Sequence, residues 1–372
     1  MSEVLLTSGA SDPALAGLKA VIDAELAPIV KQIDHDGLYP AQAMRRMGEA
    51  GLFSQHLQAS AARPSLAAAI DAMTLVSETC MSAGFCTWCQ DAAGWYLEQT
   101  ENAALRATLQ PGLASGVQMG GTGLSNTMKS LSDIEKFKLR GKRVPGGYEV
   151  TGVLPWVSNL GAGHLFGTVF EVDESHRVMA MVRCGQPGVE IRQNAKFIAL
   201  EGTGTYSILF RRAFIADEIL LADPLGGMIK RIKAGFILLQ TGMGLGVTQA
   251  CIDLMREADV THGKSNKYLP RRPNDFAGDL AAIRAEITML AATPLDPAPE
   301  YLRAVLTARL RVSELVLEAG QGALIHTGAR GYLEGSAVNR RLREGYFAAI
   351  ITPSIRHLRQ ELAKPELRAV VH

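Results

Sequence analysis

The sequence predicts an α+β chain, mostly helical, in three parts: helices over 1–112, a β-barrel or sandwich over 113–222, and helices again over 223–372. Three observations predict it. Apolar residues recur at helical spacing, with start and stop signals, from Ala14 to Leu109. Between 113 and 222 the composition turns to Gly, Thr and Val in short, turn-punctuated runs of the kind that form strands. From Gly226 to about Leu362 the helical spacing returns. A length of 372 residues fits two or three domains.

In the first part, Ser11-Asp12-Pro13 is a helix start signal, and the first helix is expected over Ala14–Ile33. A second is expected over Pro40–Ala50, closed by Gly51. Pro64–Cys80 is a third, apolar on most sides, and Ala83–Leu97 continues helical. Cys86 and Cys89 stand inside it as Cys-x-x-Cys. With no second Cys pair nearby, a packing role is favoured over redox or zinc chemistry. Thr100–Leu109 is the last helix of this part, with Pro111-Gly112 as the boundary.

Strands are expected at Lys136–Arg143, Tyr148–Leu154, Leu165–Val172, Val178–Arg183 and Tyr206–Ile215. The stretch Gly147–Asn159 stands out among them. Thr151-Gly152 reads as a turn inside it, and Pro155, lacking an N–H, is expected to stop regular pairing. Trp156 follows, close to Ser158 and Asn159. An indole beside hydroxyl and amide donors suits the face and edge of a flat heteroaromatic ligand, although a Trp filling a sheet corner fits the same residues. Gly121-Thr122-Gly123 lacks the third Gly and the βαβ context of a dinucleotide-binding turn, so a Rossmann fold is rejected.

In the third part, Ile232–Glu257 is expected as one long helix carrying Gly235, Gly242, Gly244 and Gly246. Glycine weakens a helix, so a row of it marks close approach of another helix or of a ligand, helix packing being the commoner cause. Lys264–Asn274 is expected as a loop, and Asp275–Ala291 and Pro299–Gly322 as helices. Gly328–Gly335 is a turn, and Val338–Leu362 is a helix interrupted near Pro353.

A net charge of +1 gives no electrostatic case for nucleic acid or an anionic membrane. Apolar runs are broken well short of a membrane span, and no basic region precedes the first apolar residues as a secretory signal would have. The five cysteines, an odd number in a large chain, read as reduced thiols of a cytoplasmic protein.

Several of these segments, in this order, resemble the acyl-CoA dehydrogenase family. Leu154-Pro155-Trp156-Val157-Ser158-Asn159 stands where the family has Lys-Thr-Trp-Ile-Thr-Asn. Gln118–Asn126 is similar, more loosely, to Leu-Thr-Glu-Pro-Gly-Ala-Gly-Ser-Asp. Gly328-Ala329-Arg330-Gly331-Tyr332 resembles the Gly-Gly-x-Gly-Tyr turn, and Val338–Glu344 the segment after it. The resemblance implies a C-terminal four-helix bundle, FAD between the β part and the bundle, an acyl-CoA substrate, and a homodimer or homotetramer. It implies flavin contacts from Gln118, Met119, Leu124, Ser125, Trp156, Ser158, Gly328, Arg330, Thr352 and Ser354, with Gly328 and Arg330 approaching a neighbouring subunit's FAD.

The departures concern the chemistry. Dehydrogenation of an acyl thioester needs a base for the α-proton while hydride leaves the β-carbon. The family's Glu falls on Ile350, and the alternative position, near Gly235, has no Asp or Glu between Pro224 and Ile252. The arginine that meets the FAD diphosphate across the interface falls on Asp259. A runner-up reading is therefore a flavin-dependent monooxygenase of the same fold, with reduced FMN or FAD as a diffusible cosubstrate and Ser158, His326 or His357 as catalytic candidates. A third is a non-catalytic flavin-binding scaffold, and a fourth is a helical binding module with a β insert and no flavin. Arg211, Arg212, Lys230, Arg231 and Lys233 are candidates for CoA phosphates, or simply solvated cations.

Overall fold

The computed structural model describes residues 13–60, 64–193 and 195–367. The start signal at Ser11-Asp12 and the N-terminal residues lie outside them. Of the described residues 59% are helical, with helices at both ends and a mixed sheet between them.

Helix α1 (Pro13–Val21) runs through a wider π-helical turn (Ile22–Leu26) and a tight 3-10 turn (Ala27–Ile29) into α2 (Val30–Asp36), so the expected single helix is interrupted around Pro28. Helices α3 (Ala41–Glu49), α4 (Leu66–Thr79), α5 (Met81–Gln99) and α6 (Ala103–Ala114) follow. Ser65 caps α4 by accepting from Ala68 N at 3.2 Å, and Asn102 caps α6 by accepting from Leu105 N at 3.0 Å. The boundary expected at 112 falls inside α6: the helix runs on through Pro111 to Ala114.

The helices divide by core rather than by sequence. Helices α1 to α3 pack around Leu18, Ile22, Met44, Met47 and Phe53 in a small core that Ala72 and Val76 of α4 and Ala83 and Cys86 of α5 complete. Ile70 and Met73 of α4 and Trp88, Trp95 and Tyr96 of α5 belong instead to the large core shared with the C-terminal helices. Cys86 and Cys89 are buried in α5 as free thiols.

The central strands are β1 (Gly120–Thr122), β2 (Leu139–Val144), β3 (Gly147–Val157), β4 (Leu165–Glu171), β5 (Arg177–Arg183), β6 (Val189–Arg192), β7 (Tyr206–Ala216) and β8 (Leu220–Ala222). A short helix, α7 (Leu124–Ser130), stands between β1 and β2, where the sequence suggested only strands. All eight strands form one sheet in the order β6-β7-β3-β2-β4-β5-β8, with β1 parallel to β4. The sheet folds over itself into two leaves. One ladder position, Arg140 opposite Glu171, joins them, and the two side chains form an ion pair. Period-2 alternation explains the packing. Phe166 and Phe170 of β4 and Val178, Ala180 and Val182 of β5 face the other leaf. Leu165, Val169, Met179 and Met181, one residue out of step, pack on the helices.

Strand β3 differs from the sequence reading in a way that matters for the site. It is one strand through both Gly152 and Pro155. The ladder to β7 slips between Val150 and Gly152 and again between Leu154 and Val157. A bulge absorbs an unpaired residue by bending the strand, so Pro155 is accommodated without ending it.

The third part comprises α8 (Gly226–Leu239), α9 (Thr241–Asn266), α10 (Pro273–Ala291), α11 (Pro299–Thr327), α12 (Ala337–Ile350) and α13 (Ile355–Leu362). The stretch Gly226–Asn266 is long and apolar enough to cross a membrane by composition, but 89% of its window is buried inside the protein, as in a core helix. Its glycines admit neighbours. A Cβ on Gly242 would lie 2.9 Å from Ile70 O, one on Gly246 2.4 Å from Thr74 O, and one on Gly244 2.3 Å from Val312 Cγ1. Helix α9 thus touches α4 on one side and α11 on the other. The motif near residue 340 turns out to be a clamp. Arg341 and Glu344 are buried and paired at 2.8 Å. They also bond Ser77 O at 3.1 Å and Met81 N at 3.3 Å, fixing the corner between α4 and α5.

Candidate functional site

A cavity of about 500 Å³ opens where β1, α7 and the end of β3 meet α5, α8 and the α12–α13 turn. That is a usual size for a ligand pocket. The bulge at Pro155 sets its mouth: it turns Trp156 out of the sheet face, 55% exposed, onto the cavity wall. The core-filling alternative for this Trp is therefore excluded. Asn159, buried with φ +62°, anchors the chain just behind it. Its Nδ2 donates to Gly120 O at 2.7 Å, and its Oδ1 accepts from Tyr39 OH at 2.7 Å.

Hydroxyls crowd one side. Ser158 Oγ and Thr205 Oγ1 are 2.7 Å apart, Ser125 Oγ and Thr352 Oγ1 2.9 Å apart, and Thr122 Oγ1 lies 2.6 Å from Tyr96 OH. The deep wall is aromatic. Phe85 stacks on Trp88 at 5.7 Å and meets Phe347 edge-on at 4.7 Å, while Trp88 meets Phe236 at 5.0 Å. Among the described residues the wall contains Lys129, Arg343 and Arg356 but no Asp, Glu or His. Ile350, at the position of the expected base, lines the cavity with its side chain 67% exposed. The other possible base position is closed: a Cβ on Gly235 would stand 2.5 Å from the Trp95 indole, which donates to Ile232 O at 3.1 Å. A second cavity of about 610 Å³ adjoins the first through Phe197, Ile198, Thr205 and Arg343, and there the wall does carry acids, Asp34, Asp36, Glu201 and Glu334.

Of the residues singled out from the sequence, Ser125, Trp156, Ser158, Thr352 and Ser354 come together here. The others lie elsewhere. Gln118 braces the chain, donating to Met119 O at 3.0 Å and Gly163 O at 3.1 Å, while Met119 and Leu124 are core residues. Gly328 and Arg330 are exposed on a turn outside the cavity. His326 is buried, its Nδ1 2.8 Å from Gly322 O. His357 lies just behind the wall, its Nε2 2.8 Å from Ser132 Oγ, and burial pushes its pKa down to about 4. Four of the five CoA-phosphate candidates have carboxylate partners: Arg211 with Glu190, Arg212 with Glu149, Arg231 with Glu101 and Lys233 with Glu361. Asp259 is held by Arg272 at 2.6 Å and Asn266 at 2.8 Å.

Sequence reasoning missed the aromatic wall, because its members are dispersed over α5, α8 and α12. It also missed Arg309, which is buried with no carboxylate partner among the described residues. Its Nε donates to Gln240 Oε1 at 3.0 Å and its Nη2 to Ala348 O at 2.8 Å, while Nη1 donates to Ser313 Oγ. Gln240 Nε2 in turn donates to Thr352 O at 2.8 Å, so the guanidinium reaches the cavity wall through one side chain. Burial draws its pKa down to about 10.

The comparisons agree with this architecture. Residues 15–117 match the model of the acyl-CoA dehydrogenase N-terminal domain. The chain is 24% identical over 345 residues to benzylmalonyl-CoA dehydrogenase of Aromatoleum aromaticum, covering 88% of this chain and 90% of that one. A glutaryl-coenzyme A dehydrogenase in complex with glutaryl-CoA superposes with a TM-score of 0.84 at 17% identity, covering 95% of each chain. Dibenzothiophene monooxygenase from Paenibacillus sp. A11-2 has the same fold, with a TM-score of 0.78 at 15% identity over 95% of this chain and 97% of that one. The family-model match over 15–117 and these relatives support a place in the acyl-CoA dehydrogenase superfamily, and the chain has the fold of its solved members.

Proposed function

We propose that this chain is a flavin-dependent oxidoreductase acting on an acyl-CoA-like substrate, with FAD as the hydride acceptor. The observation that carries the reading is the convergence of Trp156, Ser125, Ser158 and Thr352 on one cavity. The donor set fits a flavin ring. Trp156 offers an open aromatic face, and the hydroxyls offer donors and acceptors for a heteroaromatic edge. A flavin held there supplies hydride acceptance. The chain itself positions the ring between Trp156 and the Thr352 turn. Its aromatic wall of Phe85, Trp88, Phe236 and Phe347 takes the apolar part of the substrate and excludes water from it.

One observation favours a second reading. An α-proton needs an acceptor within hydrogen-bond reach, and the described wall has no carboxylate or imidazole. Monooxygenation with reduced flavin and oxygen makes no such demand. Anaerobic titration of the flavin-loaded protein with a panel of acyl-CoAs separates the two. Bleaching of the flavin band by one thioester supports dehydrogenation. No bleaching, with oxygen uptake once a flavin reductase is added, supports monooxygenation. A flavin that responds to neither leaves a binding scaffold.

Self-association belongs to the proposal. Val260, Tyr268, Ile325, Tyr332 and Leu333 are large apolar side chains more than half exposed near the ends of α9 and α11. Gly328 and Arg330 stand among them, where a neighbouring subunit's flavin would have to be met. A cytoplasmic location is inferred from the five free thiols.

A further inference from the structure

The cavity wall holds three cations, and their counter-charges differ. Arg343 is matched: its guanidinium binds both oxygens of Asp34, at 2.9 and 2.6 Å, and donates to Ile198 O at 2.9 Å. Lys129 comes only within 4.0 Å of Glu135, whose carboxylate accepts from Asn126 Nδ2 at 2.8 Å and lies 3.8 Å from Lys138. Arg356 makes no hydrogen bond or ion pair among the described residues, and it lines the cavity.

These two cations line the cavity from either side of the joint between α7 and α13. Ser125 Oγ and Thr352 Oγ1 are 2.9 Å apart, His357 Nε2 and Ser132 Oγ 2.8 Å apart, and Gln360 Nε2 donates to Ser132 O at 2.9 Å. Lys129 stands one helical turn beyond Ser125 on α7, and Arg356 two residues beyond Ser354. Hydroxyls and cations thus succeed one another along a single wall. Like charges gathered there with no carboxylate in the lining are unfavourable until an anion joins them.

We propose that Lys129 and Arg356 form a phosphate subsite that takes the diphosphate of the flavin from within the same chain. The proposal rests on the flavin reading above and deepens it. It accounts for a position that otherwise conflicts with that reading: Asp259 stands where an arginine from across the interface is expected, and it is occupied with Arg272 and Asn266. The chemistry shared by possible occupants is a phosphate ester, and CoA phosphates are the other source.

The test is equilibrium binding by flavin fluorescence, with the full-length apoprotein and with FAD and riboflavin as probes. Lys129→Gln, Arg356→Gln, the double variant and an exposed-lysine control, Lys142→Gln, are compared with the parent. Each single variant is expected to weaken FAD about tenfold, as for loss of one charge-assisted phosphate contact. The double variant is expected to bring FAD close to riboflavin, whose affinity stays unchanged in every variant. Thermal unfolding of the apoproteins should match, since both side chains reach solvent. Equal losses for FAD and riboflavin would overturn the assignment, because the ring site would then be what changed. Unchanged FAD with about tenfold weaker CoA binding would overturn it in favour of a substrate phosphate. A parent protein that binds no flavin in either redox state would overturn the flavin reading and this subsite together.

Discussion

Replacing Arg309 by methionine tests whether a buried cation sets the cavity wall or merely fills the core. The side chain is 1% exposed and holds no carboxylate among the described residues. Keeping its guanidinium at about 10 instead of 12.5 costs the fold about 3 kcal/mol, and methionine removes that cost. Against this, Gln240 Oε1 and Ala348 O lose their donor. Each buried acceptor left bare costs about 1–3 kcal/mol, so the two together roughly cancel the gain or exceed it by up to about 3 kcal/mol. Ser313 keeps its own bond to Arg309 O at 2.9 Å and adds little. Global stability should therefore fall only slightly, measured as the denaturant midpoint of the apoprotein. Gln240, however, is now free to turn, and its bond to Thr352 O is what fixes the turn at the cavity wall. Flavin affinity should drop about tenfold, as for one lost buried hydrogen bond. Unchanged flavin affinity would refute the positioning argument. A stability loss beyond about 5 kcal/mol would refute the balance of terms.

Three further outcomes follow from the same geometry. Ile350→Glu places a carboxylate on the cavity wall where the base is missing; if the acyl-CoA reading is right, stopped-flow bleaching should quicken by about 10²- to 10⁴-fold, the usual worth of a positioned base. No gain would show that this wall does not face an α-carbon. Gly235→Ala drives a methyl to within 2.5 Å of the Trp95 indole and should destabilise by about 1–3 kcal/mol in urea; no loss would mean that Trp95 can move aside. His56, buried with its Nε2 3.1 Å from Asp91 O, has its pKa pushed down by burial to about 4. The unfolded chain takes up that proton at about 6.5 and the folded chain does not. The contribution of His56, about 3 kcal/mol, is therefore present above pH 6.5 and lost as pH falls to 4. His56→Gln should flatten the stability profile across that window; an unchanged acid slope would show that other groups set it.

What could be read from the sequence divides by range. Helix periodicity and order were legible because they are local, and Pro299 opens α11 as expected. Pro155 and Pro111 misled because proline was judged by its missing N–H alone. A bulge absorbs it in one case, and the helix runs on through it in the other. Helix α7 was hidden by Gly120, Gly121 and Gly123 just before it. The hydroxyl half of the site was legible because Ser125, Trp156, Ser158 and Thr352 lie in motifs that resemble a family. Its aromatic half was not, since Phe85, Phe236 and Phe347 look like any apolar helix positions until α5, α8 and α12 meet. Arg309 looked like one solvated charge among many on α11. Only the packing shows that it is enclosed.

The two leaves of the sheet carry a consequence for how a ligand enters. Besides the Arg140–Glu171 ladder position, they touch at a second backbone bridge, Thr122 with Ser158, two residues from Trp156. A flap fastened along one edge swings; one fastened at both ends does not. The leaf bearing the indole is strapped at both ends, and Asn159 ties the farther strap to Gly120 of β1 and to Tyr39 between α2 and α3. A ring sliding in beside Trp156 meets a fixed jaw, so ligands are sorted by thickness and outline before they bind, and no closing step waits for them.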